Sequence, residues 1–279
     1  MLDNSINYKI CWNTLNPVYK DMCKFSNNKK LPLFYNMYSI SDFTNVYEPA
    51  EDSFLLSDTL ELEILNKNII ASEDNNSVNL MSVEIGCGSS FISFSFIINL
   101  LESTKHIKVN KKLENTENTN YNIKHFCYDI NKDCIELTNR ISKEIDLDKY
   151  IKAKVYNFCD INELIYNIKI NKVNTLYFIF NPPYVTTDND ELIKAKLNKN
   201  IYASWAGGKE GSEIIFEFAN YFKEFIKTKP NVKIVLYILL SSENNLDSII
   251  KLFNSNKWSC LSNERFKNEM LGVFKLEYN

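Results

Sequence analysis

The stretch Met81-Ser-Val-Glu84-Ile-Gly86-Cys-Gly88-Ser-Ser90 decides how the rest of the chain is read. An apolar run ends in an acid, and two glycines follow. Glycine lets the backbone turn sharply and lets a ligand approach it closely. The segment is therefore expected to be a buried strand, a tight loop and the start of a helix. A full dinucleotide fingerprint would need a third glycine at Phe91, and none is there. Glu84, two residues before the first glycine, would repel phosphates and suits a cation. S-adenosylmethionine offers both an ammonium and a sulfonium, which matches that charge. The competing reading of this stretch is a tight turn that holds no ligand.

Short apolar runs recur on either side at Lys124–Tyr128, Ala153–Tyr156, Leu176–Phe180 and Lys233–Leu240. Helical patterns alternate with them. One opens at Tyr47-Glu-Pro-Ala-Glu-Asp52 and continues with Leu56, Leu60 and Ile64; others cover Asp133–Ile145 and Ser212–Lys227. Two further strands are expected near Trp258–Leu261 and Gly272–Tyr278. Alternating strands and helices predict an α/β fold, Rossmann-like, with a mostly parallel sheet and helices on both faces. Ligands in such sheets bind at the carboxyl ends of the strands.

The other motifs fall at such ends. Asp129, in Tyr128-Asp-Ile-Asn131, can accept both hydroxyl hydrogens of a ribose; the competing reading is a cap on the next helix. It lies 45 residues beyond Glu84, where about 20 is usual. The polar stretch Glu102–Asn122 accounts for most of the excess and reads as a surface insertion. Asp160 could accept an adenine amino group while Ile161 or Phe158 packs the ring. The fourth run ends in Asn181-Pro182-Pro183-Tyr184. Each proline fixes its own φ and lacks a donor, and the first holds Asn181 extended. The stiff corner offers the Asn181 side-chain oxygen and the Pro182 carbonyl as two acceptors, with the Tyr184 ring beside them. That suits a planar NH2 group, on either a carboxamide or adenine. Methyl transfer to it would depend on positioning rather than on a strong base.

The chain has 279 residues, 45% of them hydrophobic and 24% charged, with a net charge of −3, which fits a folded protein and gives no basic excess for a phosphate backbone. Direct nucleic-acid binding is therefore disfavoured. The seven cysteines form no C-x-x-C pair and only two histidines occur, so no metal site or disulfide framework is expected. No stretch is apolar enough to span a bilayer. A cytoplasmic location is expected, with the nucleus as a second compartment.

Taken in order, Val83-Glu-Ile-Gly-Cys-Gly-Ser-Ser90, Tyr128-Asp-Ile-Asn131 and Asn181-Pro-Pro-Tyr184 resemble class I S-adenosylmethionine-dependent methyltransferases acting on planar nitrogens. Val46-Tyr-Glu-Pro-Ala-Glu-Asp-Ser53 and Ala203-Ser-Trp-Ala-Gly-Gly-Lys-Glu-Gly211 are similar to eukaryotic HemK-like enzymes that methylate, at N5, the GGQ glutamine of the class 1 translation release factor. The resemblance covers about residues 45–279 and leaves 1–44 as an N-terminal arm or cap. It implies a seven-stranded sheet with an antiparallel last strand. It also implies cofactor contacts at Ser53, Glu84, Gly86, Gly88, Asp129, Asp160, Ile161 and Asn181, and catalytic or substrate contacts at Asn181, Pro182, Pro183 and Tyr184. A small zinc-binding activator subunit, added at a sheet edge, is the implied partner. Ser90 stands where the family usually has a third glycine and is expected to narrow the loop. Methylation of adenine N6 in DNA or RNA, methylation of protein lysine, and an inactive Rossmann-like binding module are the alternatives.

Overall fold

Hydrophobic strands with no polar face need cover on both sides, and that requirement organises the chain. The computed structural model describes residues 32–69, 77–112, 120–171, 173–228, 232–266 and 269–278. Strands β1 (Ser77–Ile85), β2 (Asn120–Asp129), β3 (Ile151–Val155), β4 (Thr175–Phe180), β5 (Lys233–Ser241), β6 (Lys257–Phe266) and β7 (Glu269–Tyr278) form one seven-stranded sheet in the order β3-β2-β1-β4-β5-β7-β6. The last strand runs antiparallel to both its neighbours, as expected. Five of the six residues of β4, Leu176–Phe180, are buried, as befits a central parallel strand covered on both faces.

Helices α1 (Glu51–Leu65), α2 (Phe91–Lys112) and α3 (Lys132–Glu144) help form one apolar layer with residues such as Leu56, Phe94 and Ile141. Helices α4 (Ile161–Asn171), α6 (Glu213–Thr228) and α7 (Leu246–Phe253) form the other, where Phe222 and Phe225 of α6 pack on Phe178 of β4 and Phe218 packs on Phe180. The short α5 (Asn189–Asn198) stands apart with its own small cluster, Leu192 and Ala195 against Ala206.

The strand order reverses at β1, whose neighbours are β2 and β4. A crevice opens at the carboxyl ends where such a reversal occurs. Ile85 at the end of β1 is in register with Phe180 at the end of β4. The glycine loop and the Asn-Pro-Pro-Tyr turn, 95 residues apart in sequence from Gly86 to Asn181, are thus set side by side by strand pairing.

Of the N-terminal segment 1–44, residues 1–31 lie outside the described residues. The remainder packs onto the domain through two 3₁₀ turns, Leu33–Met37 and Asp42–Thr44. Phe34 is buried against Phe91 and Phe94 of α2, at ring-centroid distances of 5.5 and 5.7 Å. The Tyr38 hydroxyl donates to the Ser89 carbonyl at 2.9 Å, and Arg140 of α3 donates to Asp42 at 2.7 Å. Helix α2 runs to Lys112 and β2 starts at Asn120, so secondary structure enters the 102–122 segment from both ends; residues 113–119 lie outside the described residues. Among the described residues no helix is long and apolar enough to cross a membrane.

Phe34→Ala is expected to lower unfolding free energy by about 3–5 kcal/mol, the cost of emptying a buried aromatic site. Urea unfolding followed by circular dichroism measures it. A loss below about 1 kcal/mol would show that residues 32–44 are not part of the core.

Candidate active site

At the carboxyl ends of β1, β2 and β4 lies a cavity of about 310 Å³. Asp52, Ser53, Glu84, Gly86, Gly88, Asp129, Asn181 and Pro183 all line it. All of these but Asp52 are site residues expected from the sequence, and the fold brings them to one place.

The loop after β1 takes its shape from left-handed backbone conformations. Gly86 and Gly88 have φ of +61° and +52°, which glycine adopts without a Cβ penalty. Ser90 has φ +60°, so the serine takes the conformation a glycine would. Its amide donates to the Cys87 carbonyl at 2.6 Å, and its hydroxyl bonds Thr138 Oγ1 of α3 at 2.6 Å. Those bonds help offset the strain. Asp129 accepts from the Gly88 amide at 2.9 Å and the Asn131 amide at 2.8 Å, which ties the end of β2 to the glycine loop. Asn131, rather than Asp129, caps α3, accepting from the Asp133 amide at 3.0 Å. Burial pushes the Asp129 carboxyl above the usual range.

Glu84 is 1% exposed, and burial pushes its carboxyl well up. Its described partner is the Ser93 hydroxyl, which donates to Oε2 in a short bond. Among the described residues no salt bridge to a lysine or arginine serves this carboxylate. A buried acid at a cavity wall without a cation fits a ligand that carries one. The ammonium of S-adenosylmethionine meets that requirement, and the cavity lining also offers Asp129 for a ribose and the Phe158 ring for a base.

Asn181 ends β4. Its Nδ2 donates to Asp52 Oδ2 at 2.9 Å, and the other oxygen of Asp52 accepts from the Ser53 amide at 2.8 Å. A carboxylate only accepts, so this bond decides which way the Asn181 amide points. Asn181 Oδ1 is left buried with no hydrogen-bond partner. Burial pushes the Asp52 carboxyl up, while the Asn181 and Ser53 donors pull it down. The turn after Asn181 is held from outside. Asn244 donates from Nδ2 to the Tyr184 carbonyl at 3.2 Å and to the Gly211 carbonyl at 3.0 Å. A Cβ on Gly211, φ +64°, would lie 2.2 Å from the Tyr184 carbonyl oxygen, so only glycine fits there. The 203–211 segment therefore clamps the turn, with Val185 donating its amide to the Trp205 carbonyl at 3.0 Å.

Four expected residues lie outside the cavity lining: Pro182, Tyr184, Asp160 and Ile161. Pro182 is buried, and the Tyr184 ring packs against both core layers. Asp160 accepts from the Glu163 amide at 3.1 Å at the start of α4, and Ile161 packs on the core. Other lining residues went unread in the sequence. Leu192, Ala195 and Lys199 of the α5 region wall the cavity. A local signal for α5 existed: Asp188 caps it by accepting from the Glu191 amide three residues on, at 2.7 Å.

A carboxyl raised by burial favours the fold when protonated and disfavours it when charged. The stability Glu84 contributes is therefore present at low pH, and is lost as pH rises through its folded-state value. Glu84→Gln is expected to raise the melting temperature of the ligand-free protein at pH 8, with the difference shrinking toward pH 5. Scanning fluorimetry across that range measures it, and a lower melting temperature at pH 8 would contradict the charge balance described here.

No protein-family model matches the chain. It is 29% identical to the eRF1 methyltransferase catalytic subunit mtq2 of Schizosaccharomyces pombe over 224 residues, 78% of this chain and 81% of that protein. It is 28% identical to the methyltransferase HEMK2 of Mus musculus over 211 residues, 75% of this chain and 78% of that one. The solved complex of E. cuniculi Mtq2 with Trm112 aligns with a TM-score of 0.40 at 16% identity, covering 84% of this chain and 99% of that chain. The chain is homologous to Mtq2 and HEMK2, both of which are named methyltransferases.

Proposed function

We propose that this chain methylates the side-chain amide of the GGQ glutamine in a class 1 translation release factor, with S-adenosylmethionine as methyl donor. The observation that carries the reading is the Asn181 amide, locked by Asp52 so that a buried, unpartnered Oδ1 remains. An unmet acceptor there costs about 1–3 kcal/mol until a donor arrives. An incoming carboxamide supplies that donor. The name of the Schizosaccharomyces pombe relative, an eRF1 methyltransferase, supports this substrate class.

Each residue then has a task. Ser53 and Glu84 take the methionine end of the cofactor, and Gly86 and Gly88 let the backbone close on it. Asp129 takes the ribose hydroxyls. The adenine lies toward Phe158, which lines that end of the cavity. When bound, the cofactor supplies an electrophilic methyl on a sulfonium. Asn181 Oδ1 holds one N–H of the glutamine amide and so orients it at the turn. Pro183 keeps the corner stiff, and Tyr184 backs it, its phenol kept neutral by burial and by the nearby Asp52 charge. An amide nitrogen is a weak nucleophile, so the chain contributes position and electrostatics rather than a base.

A partner subunit belongs to the same reading. The Schizosaccharomyces pombe relative is described as a catalytic subunit. Here β3 is an edge strand, with Val155 at its end and Tyr156 just after it at 52% and 42% exposure, and Tyr166 and Ile170 of α4 are exposed as well. Apolar side chains along an open strand edge suit strand addition by a partner. We place the small zinc-binding activator there, and the complex in the cytoplasm with its substrate.

The test is methyl transfer from labelled S-adenosylmethionine to purified release factor, with and without activator. Transfer is expected to wild-type factor and not to the Gln→Ala variant of GGQ. Asn181→Ala is expected to lower turnover by about 10²-fold or more while cofactor binding persists. Equal labelling of both factors would overturn the substrate, and unchanged turnover would overturn the role of Asn181.

A further inference from the structure

A line of buried polar groups stands behind Glu84, away from the cavity. His125 of β2 is fully buried and does not line the cavity. Its Nδ1 is 2.7 Å from Ser82 Oγ, and its Nε2 is 2.6 Å from Ser93 Oγ. Ser93 Oγ bonds Glu84 Oε2 and lies 3.1 Å from Cys127 Sγ. Ligand atoms of Glu84, His125 and Cys127 all lie within 4.8 Å of one another. The Ser93 oxygen already bonds all three, so it is the hub of a hydrogen-bonded cluster rather than a vacant metal site.

The protons can be assigned one by one. Glu84 must be ionised to hold a cation, so it only accepts, and Ser93 gives it its single hydroxyl proton. Ser93 then accepts from His125, which places a proton on Nε2. Nδ1 is left as the acceptor for the Ser82 hydroxyl. A serine hydroxyl otherwise rotates freely among acceptors. Here the Nε2–H fills a lone pair of Ser93 and turns its proton toward Glu84.

We propose that His125 is a positioning residue for the cofactor's ammonium group, acting through Ser93 to orient the Glu84 carboxylate. The proposal rests on the reading that Glu84 contacts the cofactor. It assigns work to a histidine that touches neither cofactor nor substrate.

Calorimetric titration with two probes tests it. S-adenosylhomocysteine carries the ammonium; 5′-methylthioadenosine keeps the nucleoside and sulfur but has no amino-acid end. His125→Asn can still meet Ser82 but does not reach Ser93. It is expected to weaken S-adenosylhomocysteine binding by about five- to tenfold, the effect of one lost buried hydrogen bond, and to leave 5′-methylthioadenosine unchanged. His125→Gln, whose amide nitrogen can stand in for Nε2, is expected to restore affinity to within about twofold of wild type. In a Ser93→Ala background His125→Asn is expected to cost nothing more, because the two act in series. Should His125→Asn not fold, His125→Phe fills the ring's space and carries the same comparison.

Equal weakening of both probes would mean a general disturbance of the pocket and overturn the proposal. Unchanged S-adenosylhomocysteine binding in His125→Asn, with a loss in Glu84→Gln, would overturn the relay alone. Unchanged binding in Glu84→Gln would overturn the reading of Glu84 itself, and the relay with it.

Discussion

The hydrogen bond from Asn181 Nδ2 to Asp52 Oδ2 joins the two sides of the site. Asp52 lies in the first turn of α1, and Asn181 directly follows the central strand β4. The bond closes the cavity on that side and decides which atom of the Asn181 amide is left over. An orphaned buried acceptor and a buried carboxylate without a cation both weigh against the ligand-free fold. They coincide at one cavity wall, where a ligand can satisfy both. A protein that carries such costs at one place gives up stability for binding.

Rigidity around that bond comes from several directions. The two prolines stiffen the turn from within. Asn244 and the close approach of Gly211 fix its far side. On the opposite wall, Asp129 ties the glycine loop to β2, and Ser90 is held in a left-handed conformation by its bond to Thr138. The N-terminal 3₁₀ turns add a further brace, since Tyr38 reaches the Ser89 carbonyl. Positioning chemistry needs such a frame, because small displacements of the reacting groups cost large factors in rate.

Much of the sheet was legible in the sequence. Runs such as Leu176–Phe180 are apolar on every residue, which marks a strand covered on both faces. The segment after α2 was harder. Its Asn- and Lys-rich composition reads as loop, yet α2 continues to Lys112, beyond the apolar run that begins at Phe91. Asp160 shows the opposite difficulty. An acid after a strand serves a ligand or a helix start equally well in sequence, and its side chain meets the Glu163 amide.

The order of motifs, the stiffness of the Asn-Pro-Pro-Tyr corner and the glycine turn follow from local chemistry, namely proline's fixed φ, glycine's missing Cβ and the period of apolar residues. Those properties depend on neighbours in the chain, so the sequence alone determines them. The orientation of the Asn181 amide does not. Its partner lies 129 residues away, and the partners of Glu84 sit on α2 and, through Ser93, on β2. Only the packing of those elements decides which polar atoms are paired and which remain open to a ligand.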